Sequence, residues 1–168
     1  GNSALFNNSA NIDFSLSGMT YDANGNILSM TQKGLKLNAS PTIDQLTYTY
    51  NSYSNKLLKV VDAITADNKL GDFKDGSNGT GNDYSYDVNG NLTADNNKAI
   101  SAITYNHLNL PQTITVTGKG SITYTYDAAG NKLKKLTTET PSAGNGNKTI
   151  TTTTTYLGGT VYESKTIS

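Results

Sequence analysis

Two stretches of this 168-residue chain place oxygen-bearing side chains at alternate positions: Asp22-Ala23-Asn24-Gly25-Asn26 and Asp87-Val88-Asn89-Gly90-Asn91. Carboxylate and amide oxygens at that spacing could begin a calcium loop, which wraps a hard cation in oxygen ligands. An EF-hand loop also needs glycine at its sixth position and a bidentate glutamate at its twelfth. Here the sixth residues are Ile27 and Leu92, and the twelfth are Lys33 and Lys98, so a cation stands where a ligand is required. The same residues suit a tight turn better. Aspartate accepts a hydrogen bond from a backbone N–H two residues on, and glycine supplies a left-handed backbone.

Three further features bear on chemistry. Gly79-Thr80-Gly81-Asn82-Asp83 matches part of a calcium-binding nonapeptide, with Asp67, Asp72 and Asp75 nearby. That motif works by stacking many copies and this chain has one, so a flexible loop is expected rather than a cation site. His107 is the only histidine, and the chain has no cysteine, which leaves no basis for a transition-metal site. Nothing resembles a nucleophile elbow, and a lone turn histidine is expected to be structural or exposed. The eleven tyrosines could stack on sugars, but are expected to make cross-strand pairs and fill one face of a sheet. No catalytic, cofactor-binding or metal-binding residue is assigned, and no enzymatic activity is expected.

These residues belong to a recurring element. In Tyr84-Ser85-Tyr86-Asp87-Val88-Asn89-Gly90-Asn91-Leu92, the two rings alternate with a small polar residue and so share one face of a strand. Asp87 opens a turn, Gly90 closes it with a bulge, and Leu92 starts the return strand. The core Tyr-Asp-x-x-Gly-Asn recurs at Tyr21–Asn26 and Tyr126–Asn131. Degenerate copies at Tyr48-Thr49-Tyr50-Asn51-Ser52-Tyr53-Ser54-Asn55-Lys56-Leu57 and Thr104-Tyr105-Asn106-His107-Leu108-Asn109-Leu110-Pro111 replace the aspartate by asparagine, which can open the same turn. Thr155-Tyr156-Leu157-Gly158-Gly159-Thr160-Val161-Tyr162-Glu163 reads as a further hairpin with a different turn. From Tyr84 on, the copies follow at about twenty residues, the size of one hairpin unit.

The copies resemble the tyrosine–aspartate repeats of the Rhs family, bacterial surface and toxin-delivery proteins. The likeness is strongest from Tyr84 to Glu163 and extends back to about Met19. It implies a strip of β-hairpins that spirals into a hollow shell around a toxic C-terminal polypeptide. It also implies a secreted or cell-surface bacterial location, with the rest of the parent chain and an encapsulated toxin as partners. The family's autoproteolytic aspartates lie beyond the repeats and have no counterpart here.

Composition bounds the rest. With 25 Thr, 21 Asn, 16 Gly and no Trp, the chain is rich in strand and turn formers. Thirteen lysines balance thirteen acidic residues and arginine is absent, which disfavours nucleic-acid binding. No apolar run approaches the roughly 20 residues of a membrane-spanning helix. Five Asn-x-Ser/Thr sequons, at Asn7, Asn38, Asn78, Asn91 and Asn147, are no more than the composition predicts by chance.

The expected fold is all-β: antiparallel β-hairpin repeats forming a twisted, curved strip, a partial shell spiral. It is expected as a single repeat domain over 1–168, with 1–11 poorly ordered and 63–83 a long loop insertion. Ile12, Phe14 and Leu16 alternate as a half-buried strand that Gly18 turns into the first hairpin, and Lys33-Gly34 forms a tight connection. Pro111 begins a strand, where proline is tolerated. Residues 132–138 and 148–156 pair across a loop, with Thr151 to Thr155 facing water on one side. About a dozen strands at ~4.8 Å each make a strip roughly 60 Å wide. A toxin domain with a radius of gyration near 13 Å cannot fit inside so short a strip, and free edges favour self-association. The alternative function is a carbohydrate- or cell-surface-binding module on the tyrosine face.

Overall fold

The computed structural model describes residues 13–35, 39–64, 73–76 and 81–168. The expected order of 1–11 lies outside them, as do 65–72 and 77–80, most of the expected loop insertion. The chain divides into two compact units, Gly1–Ser77 and Asn78–Ser168.

The described residues form twelve antiparallel strands in two open sheets rather than one strip. The first sheet runs in chain order through β1 (Leu16–Tyr21), β2 (Ile27–Lys33), β3 (Thr42–Tyr50) and β4 (Leu57–Asp62). The second has eight strands, also in chain order: β5 (Tyr84–Tyr86), β6 (Leu92–Asp95), β7 (Ile100–Tyr105), β8 (Pro111–Val116), β9 (Gly120–Tyr126), β10 (Lys132–Glu139), β11 (Ile150–Leu157) and β12 (Thr160–Ile167). Threonine, isoleucine and tyrosine fill these strands because branched and aromatic side chains fit a pleated surface. Pro111 does open β8, and β10 pairs with β11 as expected.

The first sheet has a small apolar core. Ile43, Leu46 and Val60 are buried, and Gly34 lies so close to Ile43 that a Cβ there would sit 2.7 Å from its Cδ1. In the second unit no described apolar residue is buried; Asp83, Asp95 and Thr154 are. Register explains why. Ile103, Ile114 and Ile122 stand opposite one another on one face, and the row continues into Thr137, Thr152 and Lys165. The other face carries Thr104, Thr113, Thr123, Leu136, Thr153 and Ser164 in register. Directly opposed residues share a face, so threonine takes two of the six positions in the first row and four of the six in the second, and neither face is dry. Of Thr151 to Thr155, expected to meet water on one face, Thr154 is buried and the other four are partly so.

Three expectations are corrected at the N-terminal end. Strand β1 starts at Leu16, and Phe14 and Leu16 are exposed rather than half-buried. Gly18, with φ +62°, sits within β1, where the register slips, and does not turn the chain. Residues 34–41 join β2 to β3, closed by the Gly34 N–H on the Pro41 carbonyl at 3.0 Å, so Lys33-Gly34 is not itself the connection.

Candidate functional site

Four hairpins share one loop design and a fifth, after Asn51, departs from it. In the three intact copies the aspartate Oδ1 accepts two backbone N–H groups, from the residues two and four positions on. For Asp87 these are Asn89 at 2.9 Å and Asn91 at 2.8 Å; Asp22 and Asp127 repeat the pattern within 0.1 Å. The Oδ2 atom accepts the side-chain amide of the asparagine after the glycine, at 2.8 to 2.9 Å. Gly25, Gly90 and Gly130 have φ of +82°, +88° and +87°, as the turn requires. In the degenerate copy Asn106 Oδ1 accepts the Leu108 and Leu110 N–H groups, and Asn109 takes the left-handed position at φ +57°. The loop after Asn51 is one residue longer, its N–H reaching Lys56, and exposed Tyr53 takes φ +56°.

These contacts decide what the aspartates can do. Both oxygens of each carboxylate are engaged by their own loop. The asparagine amide, first among the causes, and the backbone N–H groups hold Asp22, Asp87 and Asp127 below the usual carboxylate range. Lys33 and Lys98, at the twelfth positions of the supposed calcium loops, pair instead with Asp13 at 3.0 Å and Asp95 at 3.3 Å.

A second repeated device joins one hairpin to the next. The last tyrosine of a hairpin's first strand donates its hydroxyl to the carbonyl that begins the previous return strand. Tyr50 reaches Ile27 at 3.0 Å, Tyr105 reaches Leu92 at 2.7 Å, and Tyr126 reaches Pro111 at 2.9 Å. Each of these carbonyls heads a strand, and the hydroxyl supplies its donor. Burial pushes all three phenols above their ordinary pKa. Asparagine bridges tie adjacent loops as well: Asn26 to Asn55 at 2.9 Å, and both Asn89 and Asn91 to Asn109 at 3.1 Å. The tyrosines therefore do more than fill a face. The sequence held a signal for this, since eleven tyrosines against three phenylalanines imply that the hydroxyl is used.

Compared with known proteins, the chain matches no family model and no curated sequence. The geometry of its own side chains carries the functional reading.

One cleft, of about 300 Å³, opens at the seam between the hairpins β7–β8 and β9–β10. Asn106, His107, Gln112, Tyr124, Tyr126 and Asp127 line it. Tyr124 and Tyr126 stand with ring centroids 6.1 Å apart and planes tilted by 40°, and the Lys132 ammonium lies 4.3 Å from the Tyr124 ring centre. An aromatic wall rimmed by amide, imidazole and carboxylate groups can hold a small polar ligand. His107, read as a turn residue, is exposed at this rim.

Four aspartates are buried, of which only Asp83 falls in a stretch that the sequence singles out. Asp44 accepts the Phe73 N–H at 2.7 Å, and Asp62 accepts those of Gln45 and Ile64 at 2.9 and 3.0 Å. Asp83 receives the Asn97 amide at 3.0 Å, and Asp95 caps a short helical turn through the Lys98 N–H at 3.2 Å. Only Asp95 carries a local signal, two asparagines following an aspartate. Among the described residues no three of His, Asp and Glu converge to hold a metal ion. Of the nonapeptide-like stretch and its acidic neighbours, Asp67, Asp72, Gly79 and Thr80 lie outside the described residues. No helix among the described residues is long and apolar enough to cross a membrane.

Proposed function

We propose that this chain is a non-catalytic structural segment of an Rhs-type cell-surface or toxin-delivery protein, secreted by or displayed on a bacterium, and part of a β-hairpin shell. The observation that supports the reading is the tyrosine hydroxyl that links a hairpin to the one before at three of the four seams, through Tyr50, Tyr105 and Tyr126. A link of this kind suits tandem addition: a new hairpin that carries the tyrosine brings the donor that caps the previous return strand. Repetition of that sort builds extended sheets rather than a closed catalytic pocket. The enclosed polypeptide and the remaining wall would come from elsewhere in the parent chain, because twelve strands at about 4.8 Å make too short a wall for a folded domain.

Protease protection tests the role. Expressed in one frame with the coding sequence that flanks it, the chain is expected to shield a neighbouring polypeptide from added protease. A flanking sequence without further tyrosine–aspartate units, or a neighbour digested as fast as when free, would overturn the proposal.

The cleft beside Tyr124 supports a second reading, a carbohydrate-binding module. A glycan array probed with the wild-type chain and with Tyr124→Ala separates the two. Binding that vanishes in the variant, with the circular dichroism unchanged, would favour the lectin role.

A further inference from the structure

Strand β12 is the longest uninterrupted edge among the described residues. Its eight residues are all exposed, and its pairing with β11 runs without a register slip from Leu157↔Thr160 to Ile150↔Ile167. The other sheet edges differ. β1 is broken by a bulge at Gly18, β5 has three residues, and β4 has six, two of them buried. Edges left long and flat are templates for another strand.

The backbone fixes which groups face outward. Thr149 and Ser168 exchange both backbone hydrogen bonds, at 2.9 and 3.0 Å. In an antiparallel ladder such pairs alternate, so Thr166, Ser164, Tyr162 and Thr160 also direct their amides toward β11. The N–H and C=O groups of Val161, Glu163, Lys165 and Ile167 therefore point away from the sheet. Their side chains share one face, reading apolar, acidic, basic, apolar. Read backwards, that series is complementary to itself.

We propose that β12 is a self-recognition edge that pairs antiparallel with β12 of a second copy, with the two-fold axis at Ser164. In that register Glu163 opposes Lys165 twice and Val161 opposes Ile167 twice, and every outward backbone group of these four residues finds a partner. The pairing covers Val161 and Ile167, which are 58% and 59% exposed in the single chain. A shift of two residues either way sets Glu163 against Glu163 or Lys165 against Lys165. Like charges directly opposite are destabilising, so one register is selected. The contact is isologous and closes at two copies. In a shell the next hairpin of the parent chain would take this edge, so self-pairing and wall extension are alternative uses of β12.

Sedimentation of the full chain at low salt tests it, with circular dichroism to confirm folding. A dimer is expected, and Glu163→Lys or Lys165→Glu alone should weaken it by about tenfold, since each creates two like-charged pairs. The double variant restores both opposite-charge pairs and should recover the dimer. The chain has no cysteine, so Ser164→Cys supplies a single thiol on the axis, where facing Cα atoms about 4.5 Å apart permit a disulfide between copies. A strict monomer, a filament, or a dimer indifferent to the charge reversals would overturn the proposal.

Discussion

The two sheets are made from the same hairpin and held in different ways. The four-stranded sheet buries Ile43, Leu46 and Val60, so part of its stability is ordinary hydrophobic burial. The eight-stranded sheet has no fully buried apolar residue among those described, although its strands are as regular. Its order rests on ladder hydrogen bonds, half-buried isoleucine rows and polar links at the seams. A repeated polar device can thus take over a task that elsewhere falls to a core.

Mutations can test that contrast. The largest effect is expected at Gly120, at the start of β9, with φ +131°. A Cβ there would collide with the Thr138 carbonyl oxygen of β10. Gly120→Ala should cost roughly 4 kcal/mol or more, because backbone has to move. Denaturant unfolding read by hydrogen exchange should show the loss in the eight-stranded sheet alone. Unchanged protection there would mean the strands are not packed as described.

Apolar truncation should have the opposite bias. Ile43→Ala is expected to cost about 3 kcal/mol by cavity formation in the first sheet. Ile122→Ala, at a half-exposed position, should cost only about 1 kcal/mol. Equal losses would mean that something covers the isoleucine face in solution, erasing the distinction between the sheets.

Next come the seam tyrosines. Tyr105→Phe and Tyr126→Phe each remove one donor and should cost about 1 kcal/mol. Tyr50→Phe should cost as much in the cored sheet, since the link is the same. A negligible effect at all three sites would remove the hydroxyl link from the account of either sheet.

The smallest effect is in acid and should be shared by both sheets. Asp22, Asp87 and Asp127 are held below their ordinary value of 3.8 by the asparagine amide and backbone N–H groups of their loops. A carboxyl depressed by folding adds stability above its unfolded pKa. That contribution fades as pH falls through the lower folded value. Stability should therefore drop slightly below about pH 4. Changing all three to asparagine should flatten that limb, since Asn106 already makes both backbone bonds without a charge.

The loops were legible because their chemistry is local. Asp87, Gly90 and Asn91 interact within five residues, and their types alone imply the bonds they make. The tyrosine link was half legible: an aromatic before each Asp or Asn could be read, but its acceptor lies 13 to 23 residues away. Gly120 gave no sign, because its constraint is the approach of a distant carbonyl. Phe14 and Leu16 misled for a related reason. Their alternation states that a face exists, but the burial of that face depends on what the rest of the chain brings to it. Asp44 was invisible because its N–H partner comes from another segment, and Asp62 was half so, since only one of its two does.

One detail recurs in all five Tyr-Asp and Tyr-Asn hairpins. The residue paired with the last tyrosine is followed by one that has no partner in the register: Leu28, Leu58, Thr93, Gln112 and Leu133. Each return strand is thus longer by one residue at the same place, and each bends there. Identical bends do not average out along a series; they accumulate with one sign. The curvature of such a strip is a property of the unit, whereas the length of its arc is a property of the count. Whole hairpins can then be added to or removed from such a sheet without changing the bend that each one carries.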